Sequence, residues 1–230
     1  NYLEVIHQCF YVHNTTTLMI NNIFFDIGNV LIHIYPDQCV QYWADSTDLP
    51  LNIIKDAFPL EAHYVYEKGE LAEHEFYLSF REALPQPCCI KESDFWRGWK
   101  KLLGEETMVS QLLKTLSEDY NIWLLSNTNP RHIIDEIDLR FTFHQYINGA
   151  IYSFDAASRK PDVAIYEYAL KESGAVASES IFIDDLLPNI EAAKNLGWEG
   201  IHYQNIKQLT TDLHILGIAV NEVEAFYGAR

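Results

Sequence analysis

Positive charge is scarce in this chain: 16 Lys and Arg face 33 Asp and Glu, for a formal net charge of −17 and a pI near 4.8. A surface that acidic repels phosphate backbones and anionic headgroups, so neither nucleic acid nor a membrane is expected as the main partner. An anionic ligand would need a local cationic site or a bound metal to overcome that field. Long apolar runs are also missing. Stretches such as Ile23 to Phe25 and Trp123 to Leu125 fall far short of the ~20 residues that span a bilayer. The four cysteines, Cys9, Cys39, Cys88 and Cys89, show no CxxC or metal-ligand spacing. Scattered thiols at that density point to a reducing compartment, hence the cytoplasm. With 48% hydrophobic residues, 10 Gly and 8 Pro, the composition is neither disordered nor collagen-like. A length of 230 residues, set against ~150 per domain, suits one domain, or one carrying a sizeable insertion.

The chain starts at Asn1. Residues 1 to 18 contain no Lys or Arg and no long apolar core, so they do not read as a secretory signal. Asn14-Thr15-Thr16 matches the glycosylation tripeptide, a pattern short enough to occur often by chance. A strongly patterned strand follows soon after Met19. Met19 is therefore the expected natural start and residues 1 to 18 a peripheral extension; the alternative is an extra strand from Leu3 to Val12.

From Met19 onward, short apolar runs alternate with helical patterns. Strands are expected at Asn22 to Phe25, Tyr120 to Leu125, Ala150 to Tyr152, Ser180 to Ile183 and Gly200 to Tyr203. Each is apolar without alternation, as in strands buried on both faces of a parallel sheet. Between them, Met108, Val109, Leu112, Leu113 and Leu116 form one helical stripe, and Val163, Tyr166 and Leu170 a second. Ile190, Ala193 and Leu196 form a third, with Pro188 near its start and Gly197 past its end. The alternation predicts a Rossmann-like open α/β parallel sheet with right-handed crossovers. One gap of about ninety residues after the first strand shows helical periodicity and no convincing strand. Its many aromatics, among them Trp43, Phe58, Phe76 and Trp99, make it too apolar for a loop. It reads as an inserted helical domain over residues 36–104, with residues 19–35 and 105–230 forming the α/β core.

In such a sheet, ligands bind outside the carboxyl ends of the strands. Asp26 ends the first strand, Ser126 and Asn127 the second, and Asp184 and Asp185 the fourth; Lys160 precedes a helix. Each has a bland explanation. A lone Asp after a strand is commonly a turn or cap residue, Ser-Asn before a helix an N-cap, and Lys before Pro a solvated loop residue. The aspartate pair could simply cap the helix that begins near Pro188. All of them together, at the ends of predicted strands, are hard to attribute to chance.

This set resembles the haloacid dehalogenase superfamily, and its phosphatases in particular. The resemblance rests on Asp26 in FFDIGNVL, Ser126 in IWLLSNTNP, Lys160 ahead of a helix, and Asp184-Asp185 in IFIDDLLPNIEAAKNLG. The long insert lies where one branch of the family places a helical cap. YEKGELAEHEF within it, and the DxGNV form of the first motif, are similar to a bacterial subgroup that includes α-D-glucose-1-phosphate phosphatases. The resemblance implies that Asp26 is a nucleophile forming an aspartyl-phosphate. It implies Mg²⁺ held by Asp26, the Gly28 carbonyl and Asp185, with Asp184 binding directly or through water. Lys160 would neutralise Asp26 and the phosphate, while Ser126 and the backbone and side chain of Asn127 donate to phosphate oxygens. Trp43, His63 and Tyr66 are the expected cap residues facing the site, and a sugar phosphate is the expected substrate.

Two positions depart from the family pattern. Most family phosphatases carry a second Asp two residues after the nucleophile, as general acid and base; here that residue is Gly28. A late acidic position of the fourth motif is Asn189. Two other readings therefore stand beside the phosphatase: a non-catalytic phosphate-binding or regulatory protein, and a 2-haloacid dehalogenase using Asp26 on carbon. Against the dehalogenase, an acidic pair suits a metal that this chemistry does not need, and no matching halide-binding Arg adjoins the nucleophile.

Overall fold

The computed structural model describes residues 19–87 and 90–220. The N-terminal extension, with its alternative strand from Leu3 to Val12, lies outside the described residues, as do Cys9, Cys88 and Cys89. Five strands form one parallel sheet in the order β5-β4-β1-β6-β7: β1 (Asn22–Phe25), β4 (Asn121–Ser126), β5 (Gly149–Tyr152), β6 (Ser180–Asp184) and β7 (Glu199–His202). β1 lies centrally, with Phe25 opposite Leu124 on one side and Ile183 on the other. Its residues are buried throughout, which is why its sequence does not alternate. The chain goes from β1 to β4 and β5 on one side, then to β6 and β7 on the other. The order of the strands reverses at β1, and a crevice opens at its carboxyl end.

Helices α6 (Ser110–Leu116), α10 (Val163–Ser173), α11 (Leu187–Asn195) and α12 (Ile206–Ile215) cover the sheet. Between them are the short turns α7 (Pro130–His132), α8 (Asp138–Arg140) and α9 (Ser153–Ala156), with a π-helical turn at Ile133–Ile137. The stripe expected from Val163, Tyr166 and Leu170 is rotated. Val163 is exposed, and Ile165, Tyr166 and Ala169 face the core. Tyr166 is pinned there by its hydroxyl, which donates to the Asn189 carbonyl at 2.8 Å.

Five helices fill the long gap: α1 (Pro36–Thr47), α2 (Leu51–Asp56), α3 (Leu60–Glu67), α4 (Glu73–Ala83) and α5 (Glu92–Lys100). They pack around an aromatic core of their own. Trp43 is its hub, stacked on Phe95 at 5.1 Å and 1°, with its indole N–H donating to the Phe95 carbonyl at 2.9 Å. The gap also contains what its periodicity hid. β2 (Ile32–Ile34) and β3 (Leu103–Glu106) pair antiparallel as a small flap beside the carboxyl end of β1. β2 has only three residues and β3 carries Gly104 and two glutamates, so neither produces an apolar run. Gly104 is needed there, because a Cβ would stand 3.0 Å from the His33 carbonyl and closer still to the Tyr35 ring. No described helix is long and apolar enough to cross a membrane.

Several contacts tie the helical body to the sheet. Arg159 pairs with Glu67 at 2.6 Å and Arg131 with Glu73 at 2.6 Å. His132 stacks on Trp99 at 5.1 Å, lies 3.3 Å from the Trp99 carbonyl through Nε2, and meets Asn129 through Nδ1. Burial pushes the His132 pKa down to about 3. An unfolded histidine titrates near ~6.5, so below that pH the unfolded chain binds a proton that the folded chain refuses. Stability from this residue is complete above pH ~6.5 and declines from there towards pH 3, by up to about 1.4 kcal/mol per pH unit. In His132→Gln, the acid limb of stability against pH should be shallower by one proton; an unchanged slope by urea denaturation would contradict a buried neutral imidazole. A second prediction concerns Gly98, where an added Cβ would fall on the Trp43 indole. Gly98→Ala should lower stability by up to about 2 kcal/mol, since overpacking typically costs ~1–3 against a helix-propensity gain of ~1. Equal or higher melting temperature would show that Trp43 can move aside.

Candidate active site

The ends of β1, β4 and β6 converge on one ammonium. Lys160, 2% exposed, places Nζ 2.9 Å from Asp26 Oδ1, 2.7 Å from Asp184 Oδ2 and 2.8 Å from the Leu125 carbonyl. Three acceptors satisfy its three donors. Burial works against the charge of Lys160, but the carboxylates of Asp26 and Asp184 outweigh it and hold the pKa above its ordinary value. Its main chain is clamped by Asn127, whose Oδ1 accepts from the Lys160 amide at 2.8 Å and whose Nδ2 donates to the Lys160 carbonyl at 3.0 Å. The Asn127 side chain, expected to serve phosphate oxygens, thus has its acceptor and one donor engaged in positioning the lysine. Its sequence could not show this, because the partner lies 33 residues away.

Asp26 is almost fully buried, and its amide donates to the Ile183 carbonyl at 2.9 Å. Burial raises its pKa to about 7; Lys160 pulls it down, and Asp184 and Asp185 push it up. Asp184 is fully buried and crowded with donors. Oδ1 accepts from the Leu186 amide at 2.7 Å and Asn189 Nδ2 at 3.1 Å, while Oδ2 accepts from Lys160 and again from Asn189 at 2.9 Å. Asp184 thus reaches the residue before α11 without capping the helix, which has no side-chain cap among the described residues. The amide at Asn189 acts on Asp184 itself.

Asp185 is half-buried, and its pKa is raised by that burial against the pull of an Asn29 hydrogen bond. Asn29 takes the left-handed conformation at φ 54°, which Asn tolerates better than most residues. Its Nδ2 donates to Asp185 Oδ2 at 3.0 Å and its Oδ1 accepts from the Ile34 amide at 3.2 Å. One side chain therefore couples the acidic cluster to the flap. Sequence reading did not find this positioning role, whose one signal is the Gly28-Asn29 turn itself.

Oxygen atoms of Asp26, Asp184 and Asp185 lie within 4.8 Å of one another. Three carboxylates with one lysine leave negative charge uncompensated, and an all-oxygen donor set suits a hard cation such as Mg²⁺. The residues present fit that ion. Gly28 has no general-acid side chain, and a Cβ there would meet Ile34 Cγ1 at 3.3 Å. Ser126 is buried at the end of β4. A cavity of about 350 Å³ opens from Asp26, Gly28, Ser126 and Asn127 toward Trp43, Phe58 and His63 in the helical body. Tyr66, expected to face the site, is instead buried in the helical core, stacked on Phe76 at 4.7 Å.

The model of the haloacid dehalogenase-like hydrolases matches residues 20–197, and the chain belongs to that family. It is 26% identical over 194 residues to D-ribitol-5-phosphate phosphatase of Bacteroides thetaiotaomicron, covering 81% of this chain and 93% of that one. A sesquiterpene phosphatase of Aspergillus oryzae is 24% identical, with 77% and 87% covered. Among solved structures, an HAD family enzyme from Bacteroides thetaiotaomicron in complex with magnesium and inorganic phosphate is 25% identical. It superposes with a TM-score of 0.70 over 81% of this chain and 96% of that one. The family, fold and relatives make this chain a phosphoric monoester hydrolase.

Without Lys160, Asp26 and Asp184 would face each other uncompensated in a buried site. In chelator-treated protein, Lys160→Met should cost about 3 kcal/mol or more at neutral pH, the usual scale for breaking a buried pair. The loss should grow from pH 7 toward pH ~9, because Asp26, which titrates at about 7 beside the lysine, is pushed higher without it and must take up a proton to stay buried. Wild-type stability at neutral pH in this variant would show that the lysine does not hold the site together.

Proposed function

We propose that the protein is a Mg²⁺-dependent phosphatase of a small phosphate monoester, acting through an aspartyl-phosphate on Asp26. The supporting observation is the buried ammonium shared by Asp26 and Asp184, beside a third carboxylate that is less committed. Asp26 Oδ attacks phosphorus in line; the new O–P bond forms as the ester P–O bond breaks. Lys160 holds the nucleophile in position and offsets charge shared by carboxylate and phosphoryl group. Ser126 and the backbone N–H of Asn127 donate to phosphoryl oxygens. When bound, Mg²⁺ supplies the positive charge that lets two anions approach, with Asp26, the Gly28 carbonyl and Asp185 as its holders. Asp184, its oxygens already engaged by Lys160, Asn189 and the Leu186 amide, orients Lys160 and would add negative charge beside the ion. Gly28 supplies no acid, so the leaving oxygen takes its proton from a water molecule retained in the closed site. Water then attacks phosphorus, releasing phosphate and restoring the Asp26 carboxylate. The helical body, as a cap, closes over the leaving group and excludes bulk water.

General acid–base catalysis typically contributes ~10²–10⁴ in rate. Its absence at Gly28 affects dephosphorylation more than transfer from an activated ester, so phosphoenzyme should accumulate. With p-nitrophenyl phosphate and Mg²⁺, rapid mixing should give a burst near one equivalent per site, then slow turnover. EDTA and Asp26→Asn should each remove both phases. Undiminished turnover in excess EDTA contradicts the metal-dependent reading. A burst without turnover favours the phosphate-binding reading that Gly28 keeps open.

A further inference from the structure

We propose that the site takes a monophosphate whose leaving group is a hydrocarbon chain, in place of the polyol body of a sugar phosphate. The proposal rests on the phosphatase reading and concerns what the cavity holds beyond the phosphoryl group. The walls away from Asp26 are apolar: Ile34 from the flap, Val40 and Trp43 from α1, Phe58 after α2, and Trp99 and Leu102 at the end of α5. These residues come from both sides of the crevice, so the apolar surface surrounds the space.

Most of the polar residues that share the cavity are already engaged. Glu67 takes Arg159 at 2.6 Å and His63 at 3.4 Å. Asn129 accepts from the His132 amide at 3.0 Å through Oδ1 and meets the His132 ring through Nδ2. His132 is buried, held against the Trp99 carbonyl by its other ring nitrogen, and its low pKa keeps it neutral. The Trp99 indole N–H has no partner among the described residues, but it is a buried atom and offers no surface to the cavity. Among the described residues, the second ring nitrogen of His63, the Thr128 hydroxyl, the weakly polar Cys39 thiol and the spare lone pairs of Glu67 remain. Handles this few and scattered leave several hydroxyls of a sugar or alditol unpaired, and each hydroxyl buried without a partner costs ~1–3 kcal/mol. A hydrocarbon incurs no such cost and gains from burial instead.

The size of the space narrows the class. About 350 Å³, at ~30 Å³ for each water-sized group, accommodates roughly a dozen heavy atoms. With the phosphoryl group occupying one end, about eight carbons of the leaving group are covered. Longer chains must emerge between the helical body and the flap.

Two series test this, both with Mg²⁺ present. The first is kcat/KM for n-alkyl monophosphates from ethyl to dodecyl, alongside glucose-1-phosphate and ribitol-5-phosphate. The second is calorimetric binding of the non-hydrolysable n-alkylphosphonates of the same lengths. Burial of a methylene gives up to about fourfold each, so kcat/KM should rise at least ~100-fold from ethyl to octyl and then level off. The sugar and alditol phosphates should stay near the ethyl value, and phosphonate affinity should follow the alkyl trend. Val40→Asn should reduce the octyl-to-ethyl ratio at least ~5-fold, with a thermal melt confirming that the variant is folded. Alkyl phosphates turned over without chain-length dependence, or sugar phosphates preferred over octyl phosphate, overturn the proposal and leave the phosphatase reading intact. Phosphonates that bind more tightly with length, when no ester is hydrolysed, uphold the apolar site and overturn the phosphatase reading. Phosphonate affinity independent of length overturns the proposal whatever the activity.

Discussion

A single buried ammonium organises this molecule. Lys160 joins the carboxyl ends of three adjacent strands: Asp26 after β1, the Leu125 carbonyl in β4 and Asp184 at the end of β6. In a chain of net charge −17, two carboxylates buried side by side would protonate or separate without it. The rest of the local structure serves that contact. Asn127 fixes the lysine's main chain, Asn189 and the Leu186 amide fix Asp184, and Asn29 fixes Asp185 while gripping the flap. Each carboxylate is thereby held in place before any ligand arrives, which is what electrostatic catalysis requires.

The sheet and this cluster were legible in the sequence for physical reasons. Strands buried on both faces have no polar side to interrupt them, so IFF, WLL and IFID stand out as short apolar runs. The polar residues that follow must lie at the crevice, because strand ends at the switch point open there. What stayed hidden depends on partners remote in sequence. The flap strands are half-exposed and three or four residues long, so their pairing leaves no pattern. The stripe of α10 follows Tyr166 and its bond to Asn189, and Val163 turns outward. Tyr66 and His63 are three residues apart on α3, yet one stacks inside the helical core and the other faces the cavity. Helical phase alone does not distinguish those two sides when both are aromatic.

The aromatic insert does two jobs with one set of residues. Trp43 and Trp99 belong to the core of the helical body and also form the wall above Asp26. A cap stabilised by stacked rings presents rings to its ligand. On the proposed reading, specificity follows from the way the insert folds, while the chemistry follows from the sheet. The two meet at Arg159, whose neighbour Lys160 binds Asp26 while Arg159 itself holds Glu67 of α3 at 2.6 Å.

On the proposed mechanism, Asp26 Oδ is the nucleophile that bonds to phosphorus. The most direct measurement is peptide mapping by mass spectrometry after acid quench of the enzyme mixed with excess p-nitrophenyl phosphate and Mg²⁺. The peptide containing Asp26 should gain the mass of one phosphoryl group, with fragmentation placing it on that residue, and hydroxylamine should remove it. An unmodified Asp26 during sustained hydrolysis, or a phosphoryl group on any other residue, would contradict the account.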